Sequence, residues 1–133
     1  MPQILKEEIK NRIYKAASKI FYEKGFLKAK MKDISEEAKI PVGLVYTYYK
    51  NKEELFDEIV NPIYYYLNLA IEKEEKEEGS ALERFKATGE EYVLKLLNQH
   101  KILVVLMDKA QGTKHENAKQ VFIKILENHI KRQ

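Results

Sequence analysis

With 133 residues, 44% of them apolar and 34% charged, the chain fits one compact domain or two small ones sharing a core, and it is not a disordered segment. It has no cysteine, which excludes disulfides and thiolate chemistry and suits a reducing compartment. The net charge of +3 conceals an asymmetry: residues 1–52 carry twelve Lys and Arg against six Asp and Glu, whereas residues 53–133 carry twelve against fifteen. A basic front half points to a polyanionic partner, although lysine-rich helices are also what a well-solvated surface looks like.

The N-terminal stretch "MPQILKEEIKNR" is charged within six residues, so no secretory signal is expected. The longest uncharged apolar run, Ile102 to Met107, is far too short to span a bilayer. A cytoplasmic protein is the expectation.

The first predicted helix runs from about Ile4 to Lys24, with Leu5, Ile9, Ile13, Ala16, Ala17, Ile20 and Phe21 recurring at three- and four-residue spacing. Gly25 stands where the residue after a helix C-terminus belongs. The second segment, 31–38, reads "MKDISEEA". Its start, Lys30, has no side-chain acceptor with which to cap, so that end is expected to fray. The third opens with Pro41, suited to a first helical turn, and carries Val42 to Tyr49. The fourth starts near Lys52 and runs through Leu55, Phe56, Ile59, Val60, Ile63, Leu67, Ala70 and Ile71, with a kink expected at Pro62. A charged run, 72–79, ends it at Gly79. Three more helices follow: about Ala81 to Gln99, Ile102 to Gln111 (apolar nearly all round and so buried), and His115 to Arg132. No segment alternates with a period of two, so the expected fold is all-α. The front unit is 1–52 and the rear unit 53–133, the fourth helix serving both.

Two short helices joined by about three residues outline a helix-turn-helix. Ile34, Ala38, Ile40 and Val45 supply the bracing apolar set and Ser35 the small residue at the crossing. Val42, Gly43, Leu44, Thr47 and Tyr48 are candidates for the free face of the second helix. The stretch "AASKIFYEKGF…MKDISEEAKIPVGLVYTYYKNKEEL" resembles the N-terminal DNA-binding domain of the TetR family of transcriptional regulators. The resemblance rests on Ala17, Phe21, Gly25–Phe26, Asp33–Ile34, Ala38, Gly43, Tyr46, Tyr48–Tyr49, Lys52 and Leu55. It covers about residues 10–56.

The resemblance implies an N-terminal three-helix DNA-binding domain joined by a long fourth helix to a helical regulatory domain. Val42, Gly43, Leu44 and Thr47 would approach base edges, Tyr46 and Tyr48 would reach phosphates, Lys52 would pin the DNA backbone, and Tyr49 would be core. Three positions depart from the family pattern: Lys30 replaces a Thr or Ser, Lys39 a glycine, and Pro41 a serine. Lys30 and Lys32 could add phosphate contacts. The recognition segment has no Arg, Asn or Gln, so strong bidentate base contacts are closed to it. Apolar contact with thymine methyls and reading of DNA shape remain.

For the rear half the resemblance implies a small effector and a homodimer on a palindromic operator, with repression as the expected outcome. Tyr66, Phe85, Tyr92 and Met107 could line an effector pocket, though such residues at helical spacing are more often core. The stripe Val121, Phe122, Ile125, Leu126 and His129 could form the dimer interface or cap the monomer core. The chain is short for the family.

Nothing in the sequence suggests an enzyme: it has no cysteine, no Gly-rich phosphate loop and no nucleophile elbow. His100, His115 and His129 are scattered, suit solvent or core, and suggest no metal; no cofactor is expected. The competing reading is a helical protein-interaction module that binds no DNA.

Overall fold

Apolar residues three and four apart bury one stripe of each helix, and the helices stack these stripes on one another. The computed structural model describes residues 3–76 and 78–131, with the side chains of residues 3, 4, 74, 75, 81, 85, 87–90, 129 and 130 left aside. Expectations resting on the side chains of Ile4, Phe85, His129 and Ile130, and on Arg132, therefore lie outside the described residues. Every regular element among the described residues is a helix: α1 (Gln3–Lys28), α2 (Met31–Ala38), α3 (Val42–Tyr48), α4 (Lys52–Lys76), α5 (Ala81–Asn98), α6 (His100–Asp108) and α7 (Ala118–Lys131).

Gly25 interrupts α1 with φ 77° and ψ 166°, a conformation that a side chain would strain. The break turns Phe26 into the core and frees its N–H, which donates to the Lys109 carbonyl at 2.9 Å, just beyond α6. Lys30 makes no side-chain cap on α2, since an ammonium cannot accept. Asp33 works from the other side: its Oδ2 accepts from the Lys30 N–H at 3.1 Å, half of a capping box, so this end is held. Helix α4 runs through Pro62 as a single element.

The rear boundaries differ from expectation. Helix α6 starts at His100, after the single residue Gln99, and stops at Asp108. Helix α7 starts at Ala118, later than predicted. The cause is a run of turns between them: Gly112 has φ 89°, the Thr113 hydroxyl donates to Ala110 O at 2.7 Å, and the same oxygen accepts the His115 N–H at 3.0 Å. Thr113 satisfies the backbone locally and delays the helix.

One contiguous buried cluster runs from Ile13 on α1 to Phe122 on α7. At its centre Phe56 meets Phe21 and Phe26 edge to face, with centroids 5.1 Å and 5.3 Å apart. Ile102, Val105 and Leu106 of α6 join this cluster and set the rear half against α1 and α4.

Candidate nucleic-acid interface

The turn between α2 and α3 decides where α3 points. Lys39 adopts the left-handed conformation (φ 59°, ψ 46°). Its N–H reaches Glu36 O, and the Ile40 N–H reaches Ser35 O at 3.1 Å, the paired bonds of a Schellman ending. A lysine carries the left-handed strain that glycine would avoid. Arg12 of α1 steadies the turn: Nε and Nη2 donate to the Ala38 carbonyl at 3.1 Å and 2.7 Å, and Nη2 to the Lys39 carbonyl at 3.1 Å. Sequence reasoning missed this clamp. The available signal was that Arg12 is the one arginine among the twelve cations of residues 1–52.

Helix α3 buries Val45 completely and sets Tyr49, just past its end, in the core. Burial holds the Tyr49 hydroxyl well above its ordinary pKa, and the Glu58 carboxylate that accepts its hydrogen bond adds to the effect. The other side of α3 is open. Val42, Gly43, Tyr46 and Thr47 are exposed, Tyr46 to 49%, while Leu44 and Tyr48 are half-buried. Thr47 Oγ1 donates to Gly43 O at 3.0 Å, which occupies the hydroxyl and leaves the methyl for apolar contact. A Cβ added to Gly43 would meet nothing within 4 Å, so packing within the chain does not require glycine there.

The candidate cations differ in circumstance. Lys30 and Lys32 are exposed at the start of α2, Lys32 lying 4.0 Å from the Glu36 carboxylate. Lys52, the first residue of α4, is engaged: Nζ donates to Phe26 O at 2.6 Å and Ala29 O at 2.9 Å, and sits 4.2 Å from the Phe26 ring centroid. Burial lowers its pKa, opposed by the neighbouring Glu53. The ammonium thus ties the α1–α2 joint to the start of α4 and keeps one further N–H. Its carbonyl partners give no sign in the sequence.

Behind this face, His115 lies buried between α4 and the turn before α7. Its Nε2 is 2.7 Å from Asp57 Oδ1 and its Nδ1 is 2.8 Å from the Tyr64 hydroxyl. Lys114 Nζ lies 3.3 Å from the other Asp57 oxygen. Of the residues considered for an effector pocket, Tyr66 and Tyr92 come together through Lys95, whose Nζ lies 5.6 Å and 5.2 Å from their ring centroids. Met107 packs on the main core, and the Phe85 side chain lies outside the described residues. The α7 stripe splits: Phe122 is buried and Ile125 half-buried, whereas Val121 and Leu126 are exposed.

Residues 13–59, which span most of α1, all of α2 and α3 and the start of α4, match the sequence pattern of bacterial regulatory proteins, tetR family. That segment is a TetR-type helix-turn-helix unit. The chain is 44% identical over 50 residues to the HTH-type transcriptional regulator YhgD of Bacillus subtilis, a stretch covering 38% of this chain and 26% of that protein. It is 37% identical over 51 residues to the HTH-type transcriptional regulator HbdR of an Aromatoleum strain, covering 38% of this chain and 22% of that one. NalD of Pseudomonas aeruginosa, the secondary repressor of the MexAB-OprM multidrug efflux pump, superposes with a TM-score of 0.65 at 25% identity, over 96% of this chain and 64% of NalD. The matched segment covers about a quarter of these two curated relatives, and the chain spans less than two thirds of NalD. No helix among the described residues is long and apolar enough to cross a membrane.

Proposed function

We propose that the chain is a sequence-specific DNA-binding transcriptional regulator, a repressor that acts as a homodimer on a palindromic operator and responds to a small molecule. The observation that carries this reading is the free face of α3: Val42, Gly43, Tyr46 and Thr47 stay exposed while Val45 and Tyr49 anchor the helix and Arg12 fixes its approach. Residues 1–52 form the DNA-binding unit and residues 53–133 the effector-binding and dimerisation unit, in the cytoplasm where the DNA lies. Val42, Leu44 and the Thr47 methyl meet thymine methyls, Gly43 lets the α3 backbone come close, and Tyr46 and Tyr48 reach phosphates. Lys30, Lys32 and the remaining N–H of Lys52 add phosphate contacts. Two copies place paired α3 helices about one DNA turn apart.

The test is selection from a random-site duplex pool, followed by anisotropy titrations. Wild type should enrich a palindrome. Tyr46→Phe should weaken specific and random duplexes alike, because a phosphate contact carries no sequence information. Thr47→Ser, which removes the methyl and keeps the hydroxyl, should weaken the selected site by roughly tenfold and leave random duplex unchanged. Absence of duplex binding at low salt would refute the reading.

A further inference from the structure

Helix α1 has a second face that the DNA reading does not use. Lys15, Ser18, Lys19 and Tyr22 fall at i, i+3, i+4 and i+7, on one side of the helix, with Tyr14 beside them. Opposite this face, α5 ends and α6 begins with only Gln99 between them, and residues 98–102 of this junction face α1 across a surface depression. The gap is a groove of about 460 Å³ between α1 and the α5–α6 corner, within the range of small-molecule sites.

The lining of this groove selects a ligand class. Its titratable groups are Lys15, Lys19, Lys101, His100, Tyr14, Tyr22 and a single carboxylate, Glu23. Lys19 is already spent on Glu37 at 2.7 Å. Neither Lys15 nor Lys101 has an ion-pair partner among the described residues, and Lys101 Nζ lies 5.9 Å from the Tyr22 ring centroid. Two cations are therefore left over beside the exposed Tyr22 and the half-buried Tyr14, with Ile102 as a buried apolar floor. A cation next to an aromatic face is half of a recognition pair: the ring takes a flat apolar body by offset stacking and the ammonium takes an anionic substituent.

We propose that this groove binds a small aromatic carboxylate, held by Lys15 and Lys101 through its anion and by Tyr14 and Tyr22 through its ring. The site is distinct from the rear-half pocket considered around Tyr66 and Tyr92, and it lies at the seam between the DNA-binding unit and α6. A molecule seated there bears on α1 and on the corner that starts α6 at the same time.

The experiment is an NMR titration of the full 15N-labelled chain, without DNA, using 2-naphthoate and its neutral isostere 2-naphthamide as probes. Because DNA is absent, the outcome is independent of whether the chain regulates transcription. Saturable shifts from naphthoate should centre on residues 14–23 and 98–102. Naphthamide should bind at least about tenfold more weakly, and Lys15→Ala with Lys101→Ala, both exposed side chains, should weaken naphthoate by a similar factor while leaving the amide spectrum folded. Tyr22→Ala should weaken both probes. No saturable shift at millimolar naphthoate, shifts centred elsewhere, equal binding of the two probes, or a double lysine variant that binds as wild type would each overturn the proposal.

Discussion

Gly43→Ala sets folding and function against each other. Gly43 is the second residue of α3, exposed, and an added Cβ would meet nothing within 4 Å. Glycine inside a helix costs about 0.5–1 kcal/mol relative to alanine, mostly through the greater freedom of its unfolded chain. So close to the helix start the lower figure applies, and the variant should gain about 0.5 kcal/mol. With a urea m-value of about 1.5 kcal/mol/M, the unfolding midpoint rises by about 0.3 M at unchanged m. The DNA reading demands the opposite sign for binding. If the α3 backbone lies close against base edges or phosphate, the new methyl occupies that space, and affinity for the selected site should fall by roughly tenfold or more. The two measurements are urea unfolding followed by circular dichroism and anisotropy at fixed salt. A variant that folds more stably and binds as wild type would show that α3 does not approach DNA at Gly43. A variant that folds less stably would show that the space beside Gly43 is not open.

Three further substitutions test the frame around that face. Lys52→Met removes two charge-assisted hydrogen bonds and a ring contact while keeping the stem, and should cost about 2–3 kcal/mol, read as a lower urea midpoint; it should also reduce the salt slope of DNA binding by about 0.9 if the remaining N–H meets a phosphate. Lys39→Gly relieves the left-handed backbone at φ 59° and should stabilise the chain by about 1 kcal/mol, whereas Lys39→Ala should change little; equal midpoints for Gly and Ala would refute the strain. The Asp33 carboxylate is held below its ordinary pKa, chiefly by its bond to Lys24; desolvation opposes this, and the Lys30 N–H adds to the lowering. A depressed carboxylate pKa contributes stability above the ordinary aspartate range and loses it as pH falls through the folded value. Asp33→Asn should therefore unfold more easily than wild type at neutral pH, and the difference should shrink as acid protonates the folded Asp33 carboxylate; a difference that stays constant with falling pH would have a non-ionic cause.

The order of helices and the helix-turn-helix were legible because they depend on local rules. Three- and four-residue spacing marks buried stripes; Val45 could be read as part of the bracing apolar set, and Tyr49 as core through the family resemblance. What the sequence did not disclose rests on partners distant in the chain. Lys52 seeks carbonyls 23 and 26 residues back, Arg12 clamps carbonyls 26 and 27 residues ahead, and His115 meets an aspartate 58 residues earlier. Backbone carbonyls carry no residue identity, so no pattern announces those contacts. The late start of α7 has the same origin, since the Thr113 hydroxyl competes with helix for the backbone on geometry that spacing does not encode.

That division also separates folding from recognition. Arg12, Lys52 and Asp33 tie backbone to backbone around the turn, and replacing them should be felt in urea before it is felt on DNA. Val42, Gly43, Tyr46 and Thr47 are exposed, and Gly43 has empty space where a side chain would go, so the fold does not dictate their identities. A residue type that folding leaves free, on a face that folding holds rigid, is where a partner can impose its choice. If α3 reads the operator, exchanging those four residues for those of a TetR-family recognition helix should therefore leave the stability within about 0.5 kcal/mol of its starting value and redirect the selected palindrome. A chimera that folds and still selects the original site would move sequence recognition off α3 altogether.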